Sequence, residues 1–93
     1  MNTFLERRES VMIVAGFKSN NRAVQFISVI SKFRVHGELV NMPAIRGGKG
    51  CAYGVRFNRT HLSAVRQAAG KAGVMPDSFY RYENGEYSRL GDL

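Results

Sequence analysis

The stretch Val11-Met12-Ile13-Val14-Ala15-Gly16-Phe17 is almost continuously apolar and gives way at once to Lys18-Ser19-Asn20-Asn21. A short apolar run of this kind is the pattern of a central strand covered on at least one face. Ser and Asn directly after it supply turn and helix N-cap chemistry, because their short side chains accept from backbone N–H groups that a helix start leaves unpaired. Beyond them Ala23, Phe26, Ile27, Ile30 and Phe33 recur at the spacing of one helical face, which predicts a helix from about Asn20 to Arg34.

Working outward, Val35 to Met42 reads as a second strand, with Val35, Gly37, Leu39 and Asn41 on one face and His36, Glu38, Val40 and Met42 on the other. Its mixed character suits an edge, and Pro43, which has no N–H to give a ladder, ends it. Ala52 to Phe57 reads as a third strand. Asn58 or Thr60 is placed to cap a second helix whose Leu62, Val65, Ala69 and Ala72 form one stripe, stopped by Gly73 with Pro76 beyond. Ser78 to Glu83 and Glu86 to Leu90 then flank Asn84-Gly85, two residues that tolerate φ > 0 and signal a tight hairpin.

The order strand, helix, strand, strand, helix, strand, with one more hairpin strand, predicts an α+β fold of the ferredoxin-like βαββαβ pattern. The sheet is expected to be antiparallel in the spatial order 4-1-3-2, with both helices on one face and a C-terminal hairpin strand added. In that topology the end of strand one, the start of helix one, the end of strand two and the start of strand three share one edge. Phe17, Lys18, Ser19, the loop at 46–50 and Cys51 are expected to meet there.

With 93 residues, of which 44% are hydrophobic, the chain fits one domain with one core. We assign residues 11–93 to that domain and read residues 1–10, MNTFLERRES, as a flexible N-terminal arm. No apolar run reaches the length of about 18 residues that a membrane span needs, and the start has no signal-peptide pattern, so a cytoplasmic protein without a membrane partner is expected. A lone cysteine excludes an internal disulfide, and with two well-separated histidines it makes no zinc spacing, so neither a metal nor a cofactor is expected.

The net charge of +7 is unevenly spread. Between Ser10 and Pro76 ten Lys or Arg residues face Glu38 alone, whereas residues 77–93 carry four acids over Arg81 and Arg89. Such a field favours anionic partners: nucleic acid, phosphorylated metabolites or an acidic protein surface.

Cys51 follows the run Arg46-Gly47-Gly48-Lys49-Gly50. Glycines let backbone N–H groups approach a ligand, and Arg46 and Lys49 add positive charge, so Arg46, Gly47, Gly48, Lys49 and Gly50 with Lys18 and Ser19 are the candidate site for a small anion. The N-terminus of helix one adds unpaired N–H groups at the same edge. A cysteine in such surroundings ionises more easily, and the thiolate is the reactive form, so Cys51 is the candidate catalytic residue with an expected depressed pKa. The alternative is that Cys51 is a small buried hydrophobe opening a strand. His36 and His61 open the second strand and the second helix at the opposite end, which disfavours a Cys-His hydrolase dyad and points away from a stand-alone enzyme of that kind.

Several residues resemble a family of small bacterial proteins of unknown function described as selenium or sulfur carrier-like. The resemblance spans about Val11 to Leu90 and rests on a strand ending in Phe17, Ser19 two residues on, Ala23 in the following helix, Pro43, Arg46, and Cys51 leading into Val55-Arg56-Phe57. The family places glycine directly after the cysteine and a Pro-Arg pair before it; here Ala52 follows Cys51, and Ala44 and Ile45 separate Pro43 from Arg46. The resemblance implies a thiol that carries sulfur or selenium, with a donor or acceptor protein as partner.

Two other classes stay open. RNA-recognition modules share this order of elements, and Lys49-Gly50-Cys51-Ala52-Tyr53-Gly54-Val55-Arg56 matches their central motif at Lys49, Gly50, Ala52 and Tyr53 while departing from it at Cys51, Gly54 and Arg56. Tyr53 and Arg56 would carry single-stranded nucleic-acid binding there. An oligomerising module, most simply a homodimer, would instead use the open sheet face or the hairpin edge, where Tyr80, Tyr82 and Tyr87 concentrate amphipathic rings.

Overall fold

The computed structural model describes residues 11–42 and 51–90. The arm expected at residues 1–10 and the loop residues Arg46, Gly47, Gly48, Lys49 and Gly50 lie outside the described residues. The elements are β1 (Met12–Phe17), α1 (Asn20–Ser31), β2 (Glu38–Asn41), β3 (Tyr53–Asn58), α2 (Leu62–Ala72), β4 (Ser78–Glu83) and β5 (Glu86–Arg89), with a 3-10 turn at Arg59–His61 leading into α2.

Local chemistry sets these boundaries. Ser19 is the N-cap of α1, its Oγ accepting from the Arg22 N–H at 3.4 Å. The helix stops short of the length that its apolar spacing predicts. Arg34 turns to φ 63°, its N–H donates to the Ser31 carbonyl at 3.0 Å, and the Val35 N–H donates to the Ile30 carbonyl at 3.2 Å. That pair of bonds closes a helix end in the Schellman manner, with Val35 and Ile30 both in the core. Because Val35 is engaged there, β2 begins at Glu38 rather than at Val35. α2 ends in the same way on Gly73, at φ 72°, with Val74 N–H on the Ala69 carbonyl at 3.0 Å. Asn58 caps the 3-10 turn rather than α2 itself, Oδ1 accepting from the Thr60 N–H at 2.9 Å. At the hairpin, Asn84 and Gly85 take φ 55° and 78°, the left-handed pair that a two-residue turn between twisted strands requires.

The five strands form one sheet in the order β2-β3-β1-β4-β5, every pairing antiparallel. The molecule is α+β, a five-stranded antiparallel sheet with two helices, and is compatible with a ferredoxin-like fold. Alternation along the strands divides the sheet into two unlike faces. Ile13, Ala15, Phe17, Val55, Phe57 and Phe79 pack with Ala23, Phe26 and Ile30 of α1 and with Val65 and Ala69 of α2, forming the main core. On the other face Val14, Met42 and Tyr80 make a smaller buried cluster, with Val40, Cys51, Tyr82 and Tyr87 packed against it. No helix among the described residues is long and apolar enough to cross a membrane.

Candidate functional site

The sheet edge where β1 ends brings the thiol to the face that carries no helix. The Phe17 carbonyl accepts from the Ala52 N–H at 3.1 Å, and the Ala52 carbonyl accepts from the Met42 N–H at 3.0 Å. These bonds fix the residues on either side of segment 43–50 beside β1. Gly16 and Gly54 stand directly opposite each other in the β1–β3 pair, so the sheet surface is lowered where Cys51 and Met42 cross it. A Cβ at Gly16 would come within 2.9 Å of Cys51 Sγ and 3.0 Å of the Tyr80 ring; one at Gly54 would come within 3.0 Å of Met42 Cγ.

β4 starts at this same edge. Ser78 pairs with Gly16 across the β1–β4 ladder and, two residues before Tyr80, faces the same side as the thiol. It is only 7% exposed, and its Oγ has no hydrogen-bond partner among the described residues. Asp77 braces the edge: its N–H donates to the Gly16 carbonyl at 2.9 Å, and its Oδ2 accepts from the Lys18 N–H at 3.1 Å.

Cys51 is half-buried and its thiol pKa is raised, not depressed as the basic sequence around it leads one to expect. Burial is the main cause, because the thiolate loses its hydration, and the Asp77 carboxylate adds repulsion. The Tyr80 hydroxyl, hydrogen bonding to the ionised form, and the Lys18 charge act the other way but do not prevail. Asp77→Asn keeps an oxygen for the Lys18 N–H and removes the repulsion. It is expected to lower the thiol pKa, so alkylation of Cys51 should be faster at neutral pH and its pH profile should move toward acid. In the wild type the folded state holds this proton more tightly than the unfolded chain does. The group therefore stabilises the fold below the unfolded thiol pKa, and that contribution is lost as pH rises through the higher folded value.

Of the residues expected in an anion site, Lys18 and Ser19 lie at the same edge as Cys51, and Ser19 is engaged as the cap of α1. Arg46, Gly47, Gly48, Lys49 and Gly50 are outside the described residues. Tyr53 and Arg56, the two residues of the nucleic-acid alternative, are on opposite faces of the sheet. Tyr53 pairs with Phe17 and, partly buried, packs against the main core. Arg56 is on the open face, where it pairs with Val14 and forms an ion pair with Glu38 that holds the Glu38 carboxyl below its usual range. His36 precedes β2, and His61 follows the far end of β3.

Sequence reasoning did not single out Gly16, Asp77 or Ser78 as functional, and it named Tyr80 only as a ring of a possible oligomer interface, while the structure sets all four beside the thiol. The signal for three of them was available. In an antiparallel β1–β4 pair the start of β4 must fall at the end of β1, which places residues 77–80 at the same edge as Phe17. Among the described residues no group of three or more His, Cys, Asp or Glu side chains could hold a metal ion. A groove of about 380 Å³ runs along α2, lined by Ser63, Arg66, Gln67, Gly70 and Met75, and shares no residue with the thiol site. Compared with known proteins, the chain matches no family model, no curated protein and no solved structure.

Proposed function

We propose that the protein carries sulfur or selenium on Cys51, taking it from a donor protein and passing it to an acceptor. The observation that carries this reading is the seat at Gly16. The central strand gives up a side chain where the cysteine crosses it; the sulfur lies over Gly16 beside the Tyr80 ring, the Tyr80 hydroxyl and the Lys18 charge favour its ionised form, Ser78 stands across the ladder from Gly16, and the chain has no second thiol. A resting thiol with a raised pKa is mostly protonated, which protects it from stray oxidation and leaves it dependent on a donor that brings an activated sulfur atom. The ferredoxin-like reading of the fold goes with this proposal, supported by the βαββαβ order, the added hairpin strand and the placing of both helices on one face.

Incubation with a cysteine desulfurase and cysteine tests it. One sulfur atom is expected on the wild-type chain by intact mass, removed by a thiol reductant, and none on Cys51→Ser. A wild-type chain that gains no sulfur from several desulfurases, while its thiol still alkylates, would sink the reading.

A further inference from the structure

Ser78 is the unexplained group in this site. A buried hydroxyl without a partner loses its hydrogen bonds to water and gains none in return, a loss that native proteins rarely leave uncompensated. This one sits directly across the ladder from Gly16, on the face where Cys51 Sγ lies over that glycine and the Tyr80 ring packs beside it. Ser78 Oγ makes no hydrogen bond to the Cys51 sulfur, and a neutral thiol is in any case a weak acceptor. A charged atom attached to the sulfur would be a strong one.

Resting on the carrier reading above, we propose that the Ser78 and Tyr80 hydroxyls form the seat of the terminal, anionic sulfur or selenium atom of a persulfide-type adduct on Cys51. The donor is then itself a persulfide. The Cys51 thiolate attacks the outer sulfur of the donor, a new S–S bond forms, the donor's own S–S bond breaks, and the donor thiolate leaves with the electron pair. The transferred sulfur keeps its charge or proton, and no external oxidant is consumed. The adduct's outer sulfur is more acidic than a thiol, so it is an anion at the pH at which Cys51 itself is protonated. Loading converts a site with an idle donor into one with a matched anion, and Ser78 is the residue that distinguishes the loaded from the empty state.

The test uses the full chain, inorganic polysulfide as the probe, and the near-ultraviolet absorbance of the persulfide titrated against pH. In Ser78→Ala loaded on Cys51 the adduct should titrate about one pH unit higher than in the wild type, a tenfold loss of acidity equivalent to one charge-assisted hydrogen bond. Its adduct should also react faster with cyanide. Tyr80→Phe should shift the titration in the same direction. The empty Ser78→Ala protein should melt no lower than the wild type, since the hydroxyl removed has no partner among the described residues. An unchanged titration and cyanide rate in a loaded Ser78→Ala chain would overturn the seat while leaving carriage intact. A lower melting temperature of the empty variant would show the hydroxyl engaged at rest and overturn the premise. A wild-type chain that takes up no sulfur from polysulfide or from a desulfurase would bring down the carrier reading and this inference together.

Discussion

Phe26→Ala is expected to lower the free energy of unfolding by about 3–5 kcal/mol, the usual effect of removing a fully buried aromatic side chain. Phe26 and Phe17 are both 0% exposed, and their rings stand 5.1 Å apart at 55°. This contact ties the middle of α1 to the last residue of β1. Around it Ala23, Ile30, Val55 and Phe57 leave no exposed side chain that could move in to fill the space. Small domains have only about 5–15 kcal/mol in total, so the variant should stand close to the limit of folding. A urea melt should show a much lower midpoint with an unchanged slope. The same variant reports on the site, because the Phe17 carbonyl holds the Ala52 N–H beside Cys51. Alkylation of the thiol should become faster well below the unfolding transition. A loss under about 1 kcal/mol, or a thiol no more accessible than before, would mean that α1 is not what fixes this edge.

The parts of the fold written in local chemistry were legible in the chain. The run Val11 to Phe17, the Ser19 cap, the Gly73 stop and Asn84-Gly85 each name a backbone state that few residues satisfy, and the strands, helices and hairpin stand close to where those signals put them. Boundaries set by long-range packing were harder to read. Phe33 continues the apolar spacing of α1, yet it is 45% exposed, and Arg34 at positive φ closes the helix because Val35 is drawn into the core. Arginine gives no advance notice of such a turn, as glycine would.

The meeting of Lys18, Ser19 and Cys51 at the end of β1 was legible in the order of elements, and the electrostatics there were not. Basic residues near Cys51 in sequence point to an activated thiol, but the balance is decided by burial on the sheet and by Asp77, which comes from the start of β4. Tyr53 shows the same limit from another side. A motif match that treats it as a stacking residue takes no account of the strand's parity, and here that parity turns the ring toward the main core. Sequence neighbours of a strand residue point to opposite faces, so a motif of adjacent residues cannot by itself define a surface.

The seat at Gly16 gives the most direct physical test of the site. Gly16→Ala is expected to cost about 1–3 kcal/mol, since overpacking a closed site exceeds the gain of about 0.5–1 kcal/mol that alanine brings over glycine in backbone entropy. The added methyl would meet Cys51 Sγ at 2.9 Å, the Tyr80 ring at 3.0 Å and Cys51 Cβ at 3.2 Å. Tyr80 is 1% exposed and has its ring set edge-on to Tyr87, so it has little room to retreat. Cys51 precedes β3 and is half-buried, so the thiol is the partner that gives way. It should move toward solvent, and because burial is the main cause of its raised pKa, its alkylation profile should shift to lower pH. Cys51→Gly in the same chain removes two of the three close contacts and should restore part of the stability, a coupling of about 0.5–3 kcal/mol in a double-mutant cycle. Were Gly16→Ala as stable as the wild type, with its thiol profile unmoved, the glycine would not be what seats the sulfur, and the site would have to be built from the segment around Cys51 alone.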